Sequence, residues 1–580
     1  KDLEAKKSLG VEVLKIKDSE EDKKPEEYTD ARTLTYTIKF SGEDMDYQII
    51  PHIEDLAGNK NDRITYADDT VASQKFTVDK VQPEMNVSYY LVDSNGNRGK
   101  KIEVSTDKIN RLYKNKTIRA VVKIMERNFA LKDSFSKEGN QVVPTFTWTK
   151  YDGSSTRVED LEENAKTLKE WKTSDTVVRT QSFDFIADGD YSFTMKYTDL
   201  AGNPTKYTDL DDSTSEYKER WFTVDKTAPK INVEYTSDNQ TIQPGEIELN
   251  RLYKNKDITA TVTIEERNFQ RENNAVNFEN GQMNLTYDAL NFQGSKVNTE
   301  NYTGTANTRG EWSTNVYTRT KTFTFSQDAN YTLGLVYRDL AGNEAVYDTR
   351  YFTVDKTAPT GSMTIEDNSG TAKTWIQWIQ QVFFDIFTQS QKGVSMTSAD
   401  ETAGVASTQY YKYHPDSESR HTFDGLSTQN LDSISSWSDG YSTSVNADEQ
   451  VIVYEKITDR AGNVTYINNQ EGVIADNTSP TAPEIKITAA EPAQGIYNAS
   501  VPFTIDVTDP ENGGTYAGLK EVFYEITNNG KVTQSGNYNS DLSDPTARVH
   551  NIHRSETVNA ELNNSNHVTI KVKAVDYAGN

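Results

Sequence analysis

Short stretches of the chain alternate apolar and polar residues. TYTIKF (Thr35–Phe40), YSFTMKYTD (Tyr191–Asp199) and YTLGLVYRD (Tyr331–Asp339) are the clearest. They are rich in β-branched and aromatic residues, the pattern of half-buried strands. The last two run directly into a turn motif, D-x-A-G-N, found at Asp55–Asn59, Asp199–Asn203, Asp339–Asn343, Asp459–Asn463 and Asp576–Asn580. Gly can take the positive φ such a turn needs, Asn tolerates it, and the Asp can hydrogen-bond its own turn backbone. A further alternating strand leads into a second motif. It reads FTVDKVQP at Phe76–Pro83, FTVDKTAP at Phe222–Pro229 and Phe352–Pro359, and more loosely VIADNTSP ending at Pro480. A hairpin therefore closes each unit. After each Pro a new alternating segment begins, such as MNVSYYLV from Met85, INVEY from Ile231 and IKI from Ile485.

Copies more than about 100 residues apart, each holding many short strands, predict an all-β chain of tandem immunoglobulin-like β-sandwiches. The units run over about 1–82, 83–228, 229–358, 359–479 and 480–580. The first reads as truncated at its N-terminus and the last stops before its final strand, so the chain reads as a piece of a longer protein. The joints at Pro83, Pro229, Pro359 and Pro480 carry little Gly or Ser. Pro restricts φ, so the joints should be stiff and the molecule an elongated, monomeric rod.

Units two and three carry insertions, at about 130–180 and 270–320. In the first, Thr156 and Glu159 form a capping box, and Val158, Leu161, Ala165, Leu168 and Trp171 share one face, which predicts a helical insertion in the second unit. Either it plugs an open sandwich end, or aromatic-rich insertions on a rigid scaffold form a binding surface. The apolar run Trp375–Phe387 also has helical spacing, through 375, 378, 379, 382, 383 and 386. It lacks the basic face of a membrane-active helix, so it is expected to pack against its own sandwich or the preceding one.

Composition narrows the chemistry. Across 580 residues, 62 Lys+Arg stand against 88 Asp+Glu, a formal charge of −26. Such a surface repels phosphate backbones and anionic bilayers, so no nucleic-acid partner and no membrane insertion are expected. With no Cys, disulfides, thiol nucleophiles and Cys-ligated metals are excluded, which fits an exported bacterial protein that folds without oxidative help. There is no GxSxG, and NGNRGK (Asn95–Lys100) lacks phosphate-loop spacing. His550 and His553 are three apart in a segment that does not read as helical, and no HExxH occurs. No catalytic residue, cofactor or enzyme activity is expected. Calcium is the most serious inorganic candidate. Asp79, Asp225, Asp355 and Asp476 recur at the joints, and Asp55, Asp199, Asp339 and Asp459 at the turns. One joint Asp plus one turn Asp falls short of the six to eight oxygens a calcium ion takes. These residues, and DSNGN at Asp93–Asn97, therefore read as caps, and no metal site is expected.

DLAGN followed by FTVDKTAP resembles the signature of bacterial Ig-like domain repeats in very large surface proteins of Gram-positive gut anaerobes. NRLYKNKTIRAVVKIMERNF (Asn110–Phe129) and NRLYKNKDITATVTIEERNF (Asn250–Phe269) look like the family's early strand and its ERNF turn. TWIQWIQQVFFDIF, then ADETAGVASTQYYK, resembles a related module, and VTDPENGGTYAGLKEVFYEI a third. The resemblance implies placement on a Gram-positive cell surface or secretion. Family members serve as stalks, adhesins and host-protein binders, some binding host immunoglobulin in a superantigen-like way. Two functions stay open. The insertions favour a binder of a host protein, with immunoglobulin the specific candidate and a mucin or other glycoprotein the next. The alternative is a stalk that spaces a distal adhesin or enzyme. Candidate contacts on the insertions are Trp148, Tyr151, Tyr287, Phe292 and Tyr302. The repeated NRLYKNK segment offers a second patch: Arg111, Tyr113 and Lys114, with Arg251, Tyr253 and Lys254.

If the turn glycines hold positive φ, Gly202→Val or Gly342→Val should destabilise its own unit by about 1–3 kcal/mol. Wild-type melting of both variants would show that the turn does not need glycine.

Overall fold

The computed structural model describes residues 9–27, 31–65, 70–71, 73–129, 143–149, 155–156, 171–175, 177–208, 218–248, 250–269, 283–297, 313–314, 317–367, 369–416, 423–490, 495–544, 547–564 and 567–580. Strands dominate them, as an all-β chain requires. In the second unit Ile118–Met125 lies antiparallel between Glu84–Val92 and Val178–Phe185. In a second sheet Gly189–Lys196 lies between Arg220–Val224 and Val143–Thr149. Side chains on a strand point to alternate faces, so Ile118, Ala120, Val122 and Ile124 all turn one way and are fully buried. They share one core with Tyr191, Phe193 and Phe222 of the facing sheet.

Residues 230–354 repeat this plan. Ile258–Glu265 sits between Lys230–Ser237 and Thr318–Phe325, and Ala329–Arg338 between Glu344–Val354 and Met283–Leu290. The fourth unit pairs Thr360–Glu366 with Lys392–Ala399 and sets a second sheet built on Gln381–Thr388, Glu471–Ala475, Glu449–Asp459 and Val405–Tyr413. The fifth has a sheet of Glu484–Ile487, Val501–Thr508 and Asn551–Val558, and another with Leu519–Asn528 between Lys531–Asn537 and Val568–Asp576. In the first unit Val11–Asp18 pairs with Leu34–Phe40, and Met45–Ile49 with Gln74–Val78.

A parallel pairing recurs at the end of three units. Leu112–Lys114 runs beside Arg220–Val224, Leu252–Lys254 beside Glu344–Val354, and Gln381–Thr388 beside Glu471–Ala475. The carbonyls of Lys114, Lys254 and Thr388 accept the N–H of Asp225, Asp355 and Asp476, at 2.9, 2.9 and 2.7 Å. The parallel strand thus holds in place the aspartate that follows the closing strand.

The run Trp375–Phe387 is not a helix. It forms the end of strand Ala372–Trp375, a turn, and strand Gln381–Thr388. Val382, Phe384 and Ile386 are buried at period two, a repeat that the same apolar run contains beside the helical one. Of the helix expected through Val158, Leu161, Ala165, Leu168 and Trp171, only Trp171 is among the described residues. Trp171, the last residue of its apolar face, is buried 5.5 Å from the Phe129 ring. Among the described residues no helix is long and apolar enough to cross a membrane. Gly202 and Gly342 have φ of +92° and +94°, the conformation the D-x-A-G-N turn needs.

Glu455 shares a strand face with Val451, Val453 and Ile457, which lie in the core. It is fully buried and neither carboxylate oxygen has a hydrogen-bond partner. Burial pushes its pKa up from 4.5 to about 8. A folded-state pKa above the unfolded value means that stability is intact below about pH 4.5 and lost as pH rises toward 8. Glu455→Gln removes this titration. Between pH 5 and 8 the wild type should lose about 2–5 kcal/mol relative to the variant, read from melting curves. Parallel profiles would show that Glu455 is compensated.

Candidate functional site

Four strands are each followed at once by an aspartate, and the unit that follows folds around it. The carboxylates of Asp79, Asp225, Asp355 and Asp476 each accept, through Oδ1, the N–H two residues on: Val81, Thr227, Thr357 and Thr478, at 2.9–3.1 Å. Their Oδ2 atoms reach into the next unit. Asp79 takes Asn128 Nδ2 at 2.6 Å, and Asp225 takes Asn268 Nδ2. Asp355 and Asp476 take the backbone N–H of Ala403 and Ala517, at 2.9 and 2.7 Å.

The carbonyls of the same aspartates accept a second cross-unit bond. The donor is the Asn that closes the next D-x-A-G-N turn: Asn203, Asn343, Asn463 and Asn580, at 3.2, 2.8, 2.9 and 2.8 Å. Each Asn is itself fixed, because its Nδ2 also donates to the Asp of its own turn at 2.7–2.8 Å. The turn motif therefore closes its own hairpin and clasps the preceding unit. The ERNF segments supply the rest of the clasp at the first two joints. Arg127 donates to Asp44, at 2.9 Å from Nη1 to Oδ1, and pairs with Asp46; Arg267 pairs with Asp190 at 2.5 Å. Phe129 and Phe269 are buried, with rings 5.2 and 5.0 Å from Tyr197 and Tyr337.

At each joint three carboxylates converge: Asp79, Glu126 and Asp199; Asp225, Glu266 and Asp339; Asp355, Asp400 and Asp459; Asp476, Asp509 and Asp576. One oxygen of each member lies within 4.8 Å of those of the other two. All are buried except Asp79 and Asp400, which are half-buried. Burial pushes Glu266 to about 8, Glu126 and Asp509 to about 7, and Asp339 and Asp355 to about 6; neighbouring carboxylates add to the rise. Burial likewise raises Asp225, Asp476 and Asp576. Each triad concentrates hard oxygen acceptors, the donor set of a cation such as calcium.

The joint and turn aspartates expected as caps do cap, and the structure adds a third carboxylate at each joint. Glu126, Glu266, Asp400 and Asp509 escaped the sequence reading because they lie in unlike contexts: ERNF twice, ADETAG and TDPENGG. The available signal was positional. Each follows a strand near the start of its unit.

None of the candidate ligand contacts is a member of these triads. Tyr151 and Tyr302 lie outside the described residues. Trp148 lies in strand Val143–Thr149, opposite Tyr191 and Thr156. Tyr287 packs on the core of its unit, its ring 6.4 Å from Phe325 and 6.2 Å from Tyr331. Phe292 is 51% exposed but sits on the third joint. Its N–H donates to the Glu401 carbonyl at 2.7 Å, and the Arg460 guanidinium lies 5.6 Å from its ring. In the repeated segment, Arg111 pairs with Asp190 at 2.8 Å, and Arg251 donates to the Phe352 carbonyl at 3.0 Å. Tyr113 and Tyr253 lie in the parallel strands, half-buried, and Lys254 is 3.7 Å from Glu246. Lys114 contributes its carbonyl to the joint. His553 contacts Asp506 from within a strand, and the His550 ring lies edge-on to Tyr516.

Residues 359–477 match the model of a bacterial Ig-like domain. No curated protein matches the chain. The fold is accordingly all-β, with immunoglobulin-like sandwiches in tandem.

Asn343→Ala removes the bond to the Asp225 carbonyl and the bond within its own turn. Calorimetry should show a loss of about 1–3 kcal/mol in the unit that carries it. An unchanged melting profile would mean that the clasp contributes nothing to stability.

Proposed function

We propose that this chain is a non-enzymatic spacer on a bacterial surface, or secreted: a monomeric rod that holds a distal adhesin or enzyme away from its anchor. The observation that carries this reading is the clasp, built in the same way at four joints from side chains of the D-x-A-G-N turn. A chain that served only to display separate binding units would have no need to tie each one to its predecessor. The binding reading loses support where its candidates are described. Tyr287 packs in a core, Phe292 serves a joint, and Arg111 and Arg251 hold strands. It now rests on the insertions, with immunoglobulin or mucin as partner.

Small-angle scattering tests the rod. A single globule of this length has a radius of gyration of about 25 Å, and the spacer should exceed it well. Immobilised chain should also retain neither immunoglobulin nor mucin. A radius near the globular value would overturn the rod. Retention of immunoglobulin that is lost in Trp148→Ala and Tyr151→Ala would establish binding instead.

A further inference from the structure

We propose that the carboxylate triads at the joints are calcium sites, so that the spacer is stiffened by the calcium around it. The inference rests on the spacer reading for its purpose, not for its chemistry.

Convergent acids alone would not carry it. The second observation is what is left over beside them. Asp509 is fully buried; its Oδ2 accepts the Gly518 N–H at 2.6 Å, while its Oδ1 has no hydrogen-bond partner. A buried carboxylate oxygen without a partner is costly, and a cation is the partner that three converging carboxylates suit. The second joint repeats the pattern. Asn268 is fully buried, gives its Nδ2 to Asp225 and its N–H to Glu266 at 2.5 Å, and leaves its Oδ1 without a partner. Asn268 is thus bonded to two members of the triad, and its free amide oxygen, like the three carboxylates, is a ligand type that calcium takes.

Two oxygens on one calcium, at about 2.3–2.6 Å each, can lie up to about 5 Å apart, and the triad oxygens all fall within 4.8 Å of one another. Magnesium keeps several waters, for which the two triads buried at all three members leave little room, so calcium is the better fit there. Each site draws on both sides of a joint. Asp476 ends one unit, and Asp509 and Asp576 belong to the next. An ion that binds only the docked arrangement stabilises it in proportion to its occupancy.

The test uses the full chain, stripped with EDTA and dialysed, then titrated calorimetrically with CaCl2 and separately with MgCl2. The expected result is up to four calcium ions per chain. The melting temperature should rise by about 5–15 °C at calcium a hundredfold above its Kd. Millimolar MgCl2 should do far less. Asp509→Asn and Glu266→Gln should each remove one ion from the stoichiometry. Should a variant fold poorly, the wild type still decides the matter: terbium luminescence excited through tyrosine should appear and be displaced by CaCl2. No heat, no melting shift and no displaceable terbium signal would overturn the proposal. So would full stoichiometry in both variants, or an equal response to magnesium. Scattering separates this from the spacer reading: a flexible chain that binds calcium sinks only the rod, and a rod that binds none sinks only the calcium.

Discussion

A carboxylate that ends a strand at a joint cannot be buried without partners, and here it takes them from both sides. Asp225 is held by the Thr227 N–H of its own linker, by Asn268 and by the carbonyl contact from Asn343 of the next unit. Its backbone is fixed in turn by the Lys114 carbonyl. The same arrangement recurs at Asp79, Asp355 and Asp476 through the Asn of each following turn. Folding of one unit and its docking on the next therefore share hydrogen bonds. Neither the last strand of one sandwich nor the closing turn of its neighbour is fully satisfied alone.

This polar joint differs from a greasy interface. Apolar contact does contribute at the last joint, where Phe387 meets Tyr577 with ring centroids 5.2 Å apart, and Ala517 and Ala578 join the core of the fourth unit. At the third joint the Phe292 ring lies beside Arg460, and directional bonds and ion pairs, such as Arg267 with Asp190, recur along the chain. Directional contacts fix an orientation in a way that area alone does not, which is what a spacer requires of its joints. Their cost is three carboxylates crowded into a buried place, with pKa values pushed upward by burial.

Much of the fold was legible in the sequence. Period-two alternation located strands such as Tyr191–Asp199, and the D-x-A-G-N repeat located a positive-φ glycine in each turn. What misled was an apolar run that satisfied two periods at once: 382, 384 and 386 obey period two while 375, 378, 379, 382, 383 and 386 mimic a helix. The joint itself was half legible. Its two recurrent aspartates stand out, but the bond from Asn343 to Asp225 spans more than a hundred residues and exists only once two units dock. The third carboxylate was hidden because local motifs differ while the position in the fold does not. The NRLYKNK segment invited a ligand reading for its charges, yet Arg111, like Arg267 of ERNF, meets Asp190.

Amide hydrogen exchange of the full chain tests most directly whether neighbouring units are locked together. The N–H groups of Ala403 and Ala517 lie outside any strand and donate to the joint aspartates of the preceding unit. If the joints are closed, these amides should be protected to the level of the core strands of their own units. Exchange at the rate of exposed turns, with the core strands still protected, would show that the units fold independently and swing freely, and would contradict the account.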